Sequence, residues 1–428
     1  MSSSIKIEES LTTSFLKSSN LNYRSMSARI LTIEDLDLKG KTVFVRVDIN
    51  TPVDDSGRLL ELSRIEEASV TIRDLKESKV VVASHQGRVG RSDYISMEQH
   101  AGVLNKILGG NVKFVEDICG PSARNEISSL KVGEVLLLDN LRFMAEENVE
   151  FTPEEASKTV FVQRLYKYFD ACVLDAFPTA HRAHPSIIGF SYLLPTCGGR
   201  LVVKELKALT RVLQVAKAPY TAVLGGAKVS DRLEAIEALI ENRRADKVLL
   251  CGLIANVFLR AAGKIDYPLG IKDEDKYIAK AVKLMEKYPG IFELPVDVAL
   301  DREGERVEVE IDKLEKDPIL DIGSKTIDKY SRIIRGSGTV FMSGPAGQFE
   351  KVGFNEGTDA LLKSMASSLA TTIVSGGHLN AALQRLGIKD WIDHVSTAGG
   401  ALVLYLSGKR LPMIEALERA AQRFGSKE

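Results

Sequence analysis

From Lys41 onward the chain repeats one pattern, a short run of β-branched and aliphatic residues followed by a stretch whose apolar residues recur about every 3.6 positions. This alternation constrains the fold more than any single motif. Two strands joined through a helix run parallel, and a parallel sheet must be covered by helices on both faces. Lys41 to Asp48, Lys79 to Ser84, Val112 to Glu116, Glu134 to Asp139 and Ala171 to Asp175 read as strands, with helices expected over 65–78, 96–108, 121–130 and 153–168. Thr152-Pro153-Glu154-Glu155 has the form of a helix start: a capping hydroxyl, proline in the first turn and acids beside the positive helix end.

A cluster of Pro195, Gly198 and Gly199 interrupts the alternation, and a long helical pattern from Arg200 to about Ala216 follows. Strands are then expected at Tyr220 to Leu224, Lys247 to Cys251, Phe292 to Leu300, Thr339 to Met342, Thr371 to Val374 and His394 to Thr397, with a closing helix from Met413 to Arg423. The chain of 428 residues is long enough for two or three domains at roughly 150 residues each. The expected fold is α/β: two doubly wound, Rossmann-like parallel-sheet domains joined by a hinge and the long helix. Their expected limits are 26–197 and 198–410, with a C-terminal helix over 411–428 that can pack back on the first domain. Residues 1–25, rich in Ser and Thr, are expected to be a disordered extension, and translation from Met26 is the alternative start.

The charge is nearly balanced, 57 Lys and Arg against 58 Asp and Glu. Such a balance argues against a general nucleic-acid binder, and no apolar run reaches the roughly 18 residues of a membrane span. Four dispersed cysteines, Cys119, Cys172, Cys197 and Cys251, lack the spacing of a zinc site or a disulfide framework, which points to a cytoplasmic protein. Affinity for an anion must therefore come from a local cluster.

In an open parallel sheet the ligand lies beyond the carboxyl ends of the strands, so the residues just after each strand matter most. In the first domain they are Asp48 and Asn50, then His85 and Arg88, then Arg142, then His181, Arg182 and His184, with Arg64 before a helix on the same rim. Guanidinium groups match phosphate and carboxylate oxygens two at a time, so a small, acidic, phosphorylated ligand is expected. His181-x-x-His184 without neighbouring carboxylates is a weak metal signal.

The second domain ends strand after strand in glycine. Gly225-Gly226-Ala227-Lys228, Gly376-Gly377-His378 and Gly399-Gly400 each lead into a helix, and Ser343-Gly344-Pro345-Ala346-Gly347 is a rigid turn followed by Glu350. Backbone N–H groups at strand-to-helix turns bind phosphate, and several such turns suit a polyphosphate. Neither a Walker loop nor a dinucleotide fingerprint is present.

With these residues in view the chain resembles the phosphoglycerate kinases over nearly all of residues 33–425. Val-Arg-Val-Asp-Ile-Asn-Thr-Pro at 45–52, Ser-His-Gln-Gly-Arg at 84–88 and Leu-Leu-Leu-Asp-Asn-Leu-Arg-Phe at 136–143 carry the likeness. So do Asp-Ala-Phe-Pro-Thr-Ala-His-Arg-Ala-His at 175–184, Leu-Gly-Gly-Ala-Lys-Val-Ser-Asp at 224–231 and Leu-Pro-Val-Asp at 294–297. The resemblance implies a glycolytic enzyme moving a phosphoryl group between ATP and 3-phosphoglycerate, with ADP and 1,3-bisphosphoglycerate as the other pair. Asp48, Asn50, Arg64, His85, Gln86, Gly87, Arg88, Arg142, His181 and Arg182 would line the acid pocket. Gly225, Gly226, Lys228, Arg232, Glu350, Gly376, Gly377, His378, Leu379, Gly399 and Gly400 would serve the nucleotide, and Mg²⁺ would accompany ATP or ADP.

Arg64 and Lys228 are the expected catalytic pair, brought together by closure about a hinge near residues 195–216. The family's usual Gly-Gly-Asp-Thr is Gly376-Gly377-His378-Leu379 here, as in archaeal members, so the metal ligands stay unassigned. A monomer is expected, with no nucleic-acid or membrane partner. A non-catalytic clamp for a phosphorylated acid, or a kinase for another such acid, remains open at this point.

Overall fold

The computed structural model describes residues 30–425. The expectations for residues 1–25 and for Met26 lie outside the described residues. The described residues form two compact units, one of residues 30–214 and 411–425 and the other of residues 215–410. The long helix, Arg200–Val215, clusters with the first unit, so the division falls at its end and not at residue 198. Its N-terminus is fastened there: Asp175 accepts from the Val202 N–H at 3.0 Å, and Thr71 Oγ1 accepts from Arg200 N–H at 2.9 Å.

The first unit is built on six parallel strands in the order β3-β4-β2-β1-β5-β6. These are β1 (Thr42–Val47), β2 (Lys79–Ala83), β3 (Val112–Val115), β4 (Val135–Leu138), β5 (Ala171–Asp175) and β6 (Thr196–Gly198). β1 lies centrally and shows how both faces are used. Val43, Val45 and Val47 join Ile65, Ala68 and Ile72 of helix Ser63–Asp74 in one core. Phe44 points the other way, against Phe161, Phe169 and Phe190, with ring centroids 6.3, 5.3 and 4.4 Å distant. Arg46 follows on that second face, where alternation along the strand puts a cation into a buried layer. The closing helix, Pro412–Phe424, packs on β6 and on the short helices Pro185–Ile188 and Phe190–Leu193.

The second unit has its own six-stranded parallel sheet, ordered β15-β14-β13-β7-β8-β9. Its strands are β7 (Tyr220–Leu224), β8 (Lys247–Leu250), β9 (Phe292–Glu293), β13 (Thr339–Ser343), β14 (Thr371–Ser375) and β15 (His394–Ser396). Val223, Leu249, Val340, Met342 and Val374 form the sheet's part of the core, covered by Tyr330 and Ile334 and by Leu361, Leu362 and Met365. A smaller antiparallel sheet adds β10 (Asp297–Arg302), β11 (Glu305–Glu310) and β12 (Ile319–Ile322), in the order β11-β10-β12.

Two elements differ from expectation. The single strand anticipated from Phe292 to Leu300 is two, in different sheets, divided at Leu294-Pro295-Val296. Proline has no N–H to give a ladder, so the chain leaves the parallel sheet there. The helix anticipated over 153–168 is broken into Pro153–Ser157, Val160–Leu165 and a 3₁₀ turn at Tyr166–Tyr168. Glu146 accounts for the break, since its carboxylate accepts the N–H groups of Val160 and Phe161 at 2.9 and 3.0 Å and so caps a new helix. The capping box at Thr152 and Glu155 forms as its residues predict. β6, only three residues long, and the antiparallel β11 and β12 were not among the expected strands, although Val307, Val309 and Ile311 alternate with Glu308 and Glu310.

Candidate active site

The four strands whose ends carry the cations, β4, β2, β1 and β5, are neighbours in the first sheet. Their C-terminal loops therefore open on one side by side rim. The loops are locked to one another mainly through two amides. Asn140 Oδ1 accepts from Gln86 N–H at 3.0 Å and Arg142 N–H at 3.1 Å, while its Nδ2 donates to Gln86 O at 2.7 Å. Gln86 Oε1 accepts from Thr51 N–H at 2.8 Å, and its Nε2 donates to Thr51 O at 2.8 Å and Asp93 O at 3.2 Å. The Gln86 side chain is wholly buried with its amide committed to the loop. It shapes the pocket from behind.

Gly87 closes the turn at φ +67°, and a Cβ there would lie 2.1 Å from Asp93 O. Only glycine fits both demands. Its N–H donates to Asn50 Oδ1 at 3.0 Å, and its carbonyl accepts from Arg142. Arg64 Nη1 donates to Asp48 Oδ2 at 2.9 Å, so the guanidinium of the expected catalytic arginine is held on one edge by a buried carboxylate.

Arg46, Arg142 and Arg182 all act on His85, together with His184. Burial first, and these cations second, push the His85 imidazole well below its ordinary range. For the same reasons His184 is drawn down to about 3 and Arg142 to about 10, with Arg88 adding to the field on Arg142. A pocket in which cations depress one another is poised to take up negative charge. Arg88 is exposed, and His181 and Arg182 are half-buried.

Two members of this cluster were not among the expected site residues. Arg46 and Glu147 are both buried, their charged atoms 4.0 Å apart. A lone cation in Val43-Phe44-Val45-Arg46-Val47 was the available signal, because a central strand of a parallel sheet leaves no solvent for it.

In the second unit the glycine turns follow β7, β13, β14 and β15, which are contiguous in the sheet. They interlock backbone to backbone: Gly225 N–H donates to Ser343 O at 2.9 Å and Gly226 N–H to Pro345 O at 2.8 Å. A Cβ on Gly225 would meet Pro345 O at 2.2 Å. Arg232 is buried and its Nε donates to Gly225 O at 2.9 Å, so it braces the turn. Lys228 is exposed at the start of helix Val229–Glu241.

Beside these turns is a cavity of about 330 Å³ lined by Gly226, Asn256, Pro345, Gln348, Glu350 and His378, among others. His378 lies 3.8 Å from the Glu350 carboxylate, and its ring stacks obliquely on Phe349 at 5.2 Å. Gly376 and Gly377 open helix Gly377–Leu386, and Gly399 opens helix Gly399–Leu406 with Gly400 next to Asp231. The Leu379 side chain is buried in the core, which leaves only its backbone for a ligand.

Among the described residues no group of three or more His, Cys, Asp or Glu is arranged to hold a metal ion. The two acids lining the cavity are Glu350 and Asp321, and Asp321 is saturated by Arg306 at 3.0 Å and the N–H groups of Gly357 and Ile322, both at 2.9 Å. Magnesium holds few protein ligands when it rides on phosphates. This donor set fits an ion that arrives with a nucleotide, not a resident one. No helix among the described residues is long and apolar enough to cross a membrane.

The sequence model of the phosphoglycerate kinase family matches residues 33–409. The phosphoglycerate kinase of Methanococcus maripaludis is 42% identical over 412 residues, covering 92% of this chain and 99% of that one. That of Methanothermus fervidus is 41% identical over 406 residues, covering 92% and 98%. The crystal structure of phosphoglycerate kinase from Pyrococcus horikoshii OT3 superposes with a TM-score of 0.81 at 39% identity, over 92% of this chain and all 100% of that one. The structure of the Coxiella burnetii phosphoglycerate kinase gives 0.69 at 32% identity, covering 92% and 100%. With its two parallel-sheet units, its cation-bearing strand ends and its glycine turns, the chain belongs to the phosphoglycerate kinase family.

Proposed function

We infer that the protein transfers a phosphoryl group reversibly between ATP and the carboxylate of 3-phosphoglycerate, giving ADP and 1,3-bisphosphoglycerate. The observation that carries this reading is the row of cationic loops at four adjacent strand ends, in a chain whose relatives are phosphoglycerate kinases. A phosphate with a carboxylate carries roughly −3 at neutral pH, and the arginines supply the matching charge. Arg88, Arg142 and Arg182, with His85, Asn50 and His181, are assigned to the acid. Gln86 and Gly87 shape its loop.

The acceptor is already an anion, since a carboxyl group ionises near pH 4, so the reaction needs no general base. A carboxylate oxygen forms a bond to the γ-phosphorus, the bond from that phosphorus to the β,γ-bridging oxygen breaks, and ADP leaves with the electron pair. Negative charge accumulates on the equatorial oxygens of the transferring group. Arg64, steadied by Asp48, and Lys228 are assigned to that charge. The glycine turns hold the nucleotide phosphates through N–H groups, and Glu350 accepts from the ribose. Magnesium, as part of the nucleotide substrate, neutralises phosphate charge.

The acid cluster belongs to one unit and the glycine turns to the other, so turnover in this reading requires a hinge motion that joins them and excludes water. A cytoplasmic monomer acting on diffusible metabolites completes the reading, and light scattering on the eluted protein checks the monomer. The deciding measurement is a coupled assay with 3-phosphoglycerate and MgATP. Arg64→Ala should lower kcat by about 10³ or more while leaving nucleotide KM within a few-fold, as for an arginine at a transferring phosphoryl group. Parent-like turnover would remove Arg64 from the chemistry, and Lys228→Ala tests the opposite unit in the same way.

A further inference from the structure

Beneath the anion cluster lies a buried set of side chains that the substrate assignments leave unexplained. Arg46 is 1% exposed. Its Nε donates to Ser186 Oγ at 2.8 Å, Nη1 donates to the Val47 carbonyl, and Nη2 lies 3.1 Å from His85 Nδ1. A guanidinium carries five N–H donors and no acceptor, and it stays protonated in proteins. Its contact with an imidazole nitrogen is a hydrogen bond only if that nitrogen offers a lone pair.

The charge on Arg46 is itself accounted for. Ser186 Oγ accepts from Arg46, so its own proton points to Glu147 Oε1, and Ser186 N–H donates to Glu147 Oε2 at 3.1 Å. Both carboxylate oxygens of Glu147 therefore accept, which is the pattern of an ionised acid beside a protonated arginine. Such a buried pair fixes geometry at little net gain in stability.

We propose that Arg46 is a positioning residue that holds His85 as the neutral imidazole with its proton on Nε2, so that His85 meets the phosphoglycerate as a donor of fixed identity. The proposal rests on the assignment of His85 to the acid pocket. The charged and titratable groups facing His85 are Arg46 on β1, Arg142 after β4, and Arg182 and His184 after β5. The nearby acids are already engaged, Glu147 beside Arg46 and Asp48 with Arg64. Burial and three guanidinium groups oppose a second proton on the ring. His85 then contributes a hydrogen-bond donor and no charge to the pocket near neutral pH, while the charge opposite the substrate comes from the arginines around it.

The test is long-range ¹H–¹⁵N correlation of the full chain labelled in histidine, between about pH 5 and 8, with a His85→Gln sample to assign the signals. The expected spectrum has an unprotonated Nδ1 and a protonated Nε2 at His85 throughout that range, with the Nε2–H signal moving on addition of 3-phosphoglycerate. A ring protonated on Nδ1, or one that becomes imidazolium within the range, would overturn the role of Arg46. A locked ring whose Nε2–H signal ignores 3-phosphoglycerate would overturn its donor role and, separately, the assignment of His85 to the pocket.

Variants give a second readout. Arg46→Lys keeps a cation that can only donate and should retain the Nε2–H state. Arg46→Met combined with Glu147→Gln removes both buried charges together and should free the tautomer, so that Nδ1–H becomes populated while burial, Arg142 and Arg182 still keep the ring neutral. Its KM for 3-phosphoglycerate should then rise about fivefold, as the fixed Nε2–H donor is lost. A double variant with the parent's KM and tautomer would refute the proposal.

Discussion

Asp321→Asn separates the electrostatics of the second unit from its packing. The parent carboxylate is fully buried against Arg306, and it backs the cavity wall so closely that a Cβ on Gly347 would lie 2.5 Å from its Oδ1. Burial pushes its pKa up from 3.8 to about 6, with the Gly357 N–H and Arg306 resisting. An acid whose folded pKa is raised contributes stability that is fully present below its unfolded pKa and lost as pH rises through the folded value. The difference of about 2.2 units corresponds to about 3 kcal/mol, most of it lost between about pH 4 and 6.5.

The asparagine variant has no such titration. It exchanges one acceptor for an NH₂ group, which adds a constant cost of about 1–3 kcal/mol at every pH. Arg306 keeps Glu308 at 3.2 Å and Glu356 at 3.4 Å, so its charge is not stranded. The stability of the variant relative to the parent should therefore improve by about 3 kcal/mol from acid to neutral pH, whatever the offset. Urea unfolding followed by tryptophan fluorescence measures it in the right unit, since Trp391 is the single tryptophan and belongs to residues 215–410. A difference that stays flat across this range would show that the buried carboxylate is not the cause.

Gly225→Ala should cost about 3 kcal/mol or more and weaken nucleotide binding, because its methyl meets the Pro345 carbonyl and neither backbone can yield alone; melting and calorimetry check this. Gly400→Ala has room, with Asp231 Oδ2 4.0 Å away, so it should fold like the parent. Any nucleotide affinity it loses then reports close approach of a phosphate. Cys172, Cys197 and Cys251 are fully buried with their thiols pushed up, so the folded protein should leave them unreactive to a thiol reagent until denaturant is added. Rapid labelling without denaturant would contradict their burial.

The local part of the site was legible in the sequence because strand ends are marked by where apolar runs stop. Asp48, His85, Arg88, Arg142 and Arg182 each stand within a few residues of such an end, and sheet order then made four of those ends adjacent. The break of the 153–168 helix was not legible, since its cap comes from Glu146, outside the helix itself. Nor was the scaffold role of Gln86 or Arg232, whose polar atoms are taken up by backbone partners that composition does not reveal.

The sequence by itself determined the alternation of strand and helix, the burial of both sheet faces, and the residue types presented at each turn, because these follow from periodicity and local chemistry. Tertiary structure decided which ends became neighbours, which cations were buried instead of offered, and that Arg46 meets Glu147, His85 and Ser186. Those outcomes depend on contacts between residues 39 to 140 positions apart. No local spacing encodes them; the packing of one β1 face against the loops and helices that follow does.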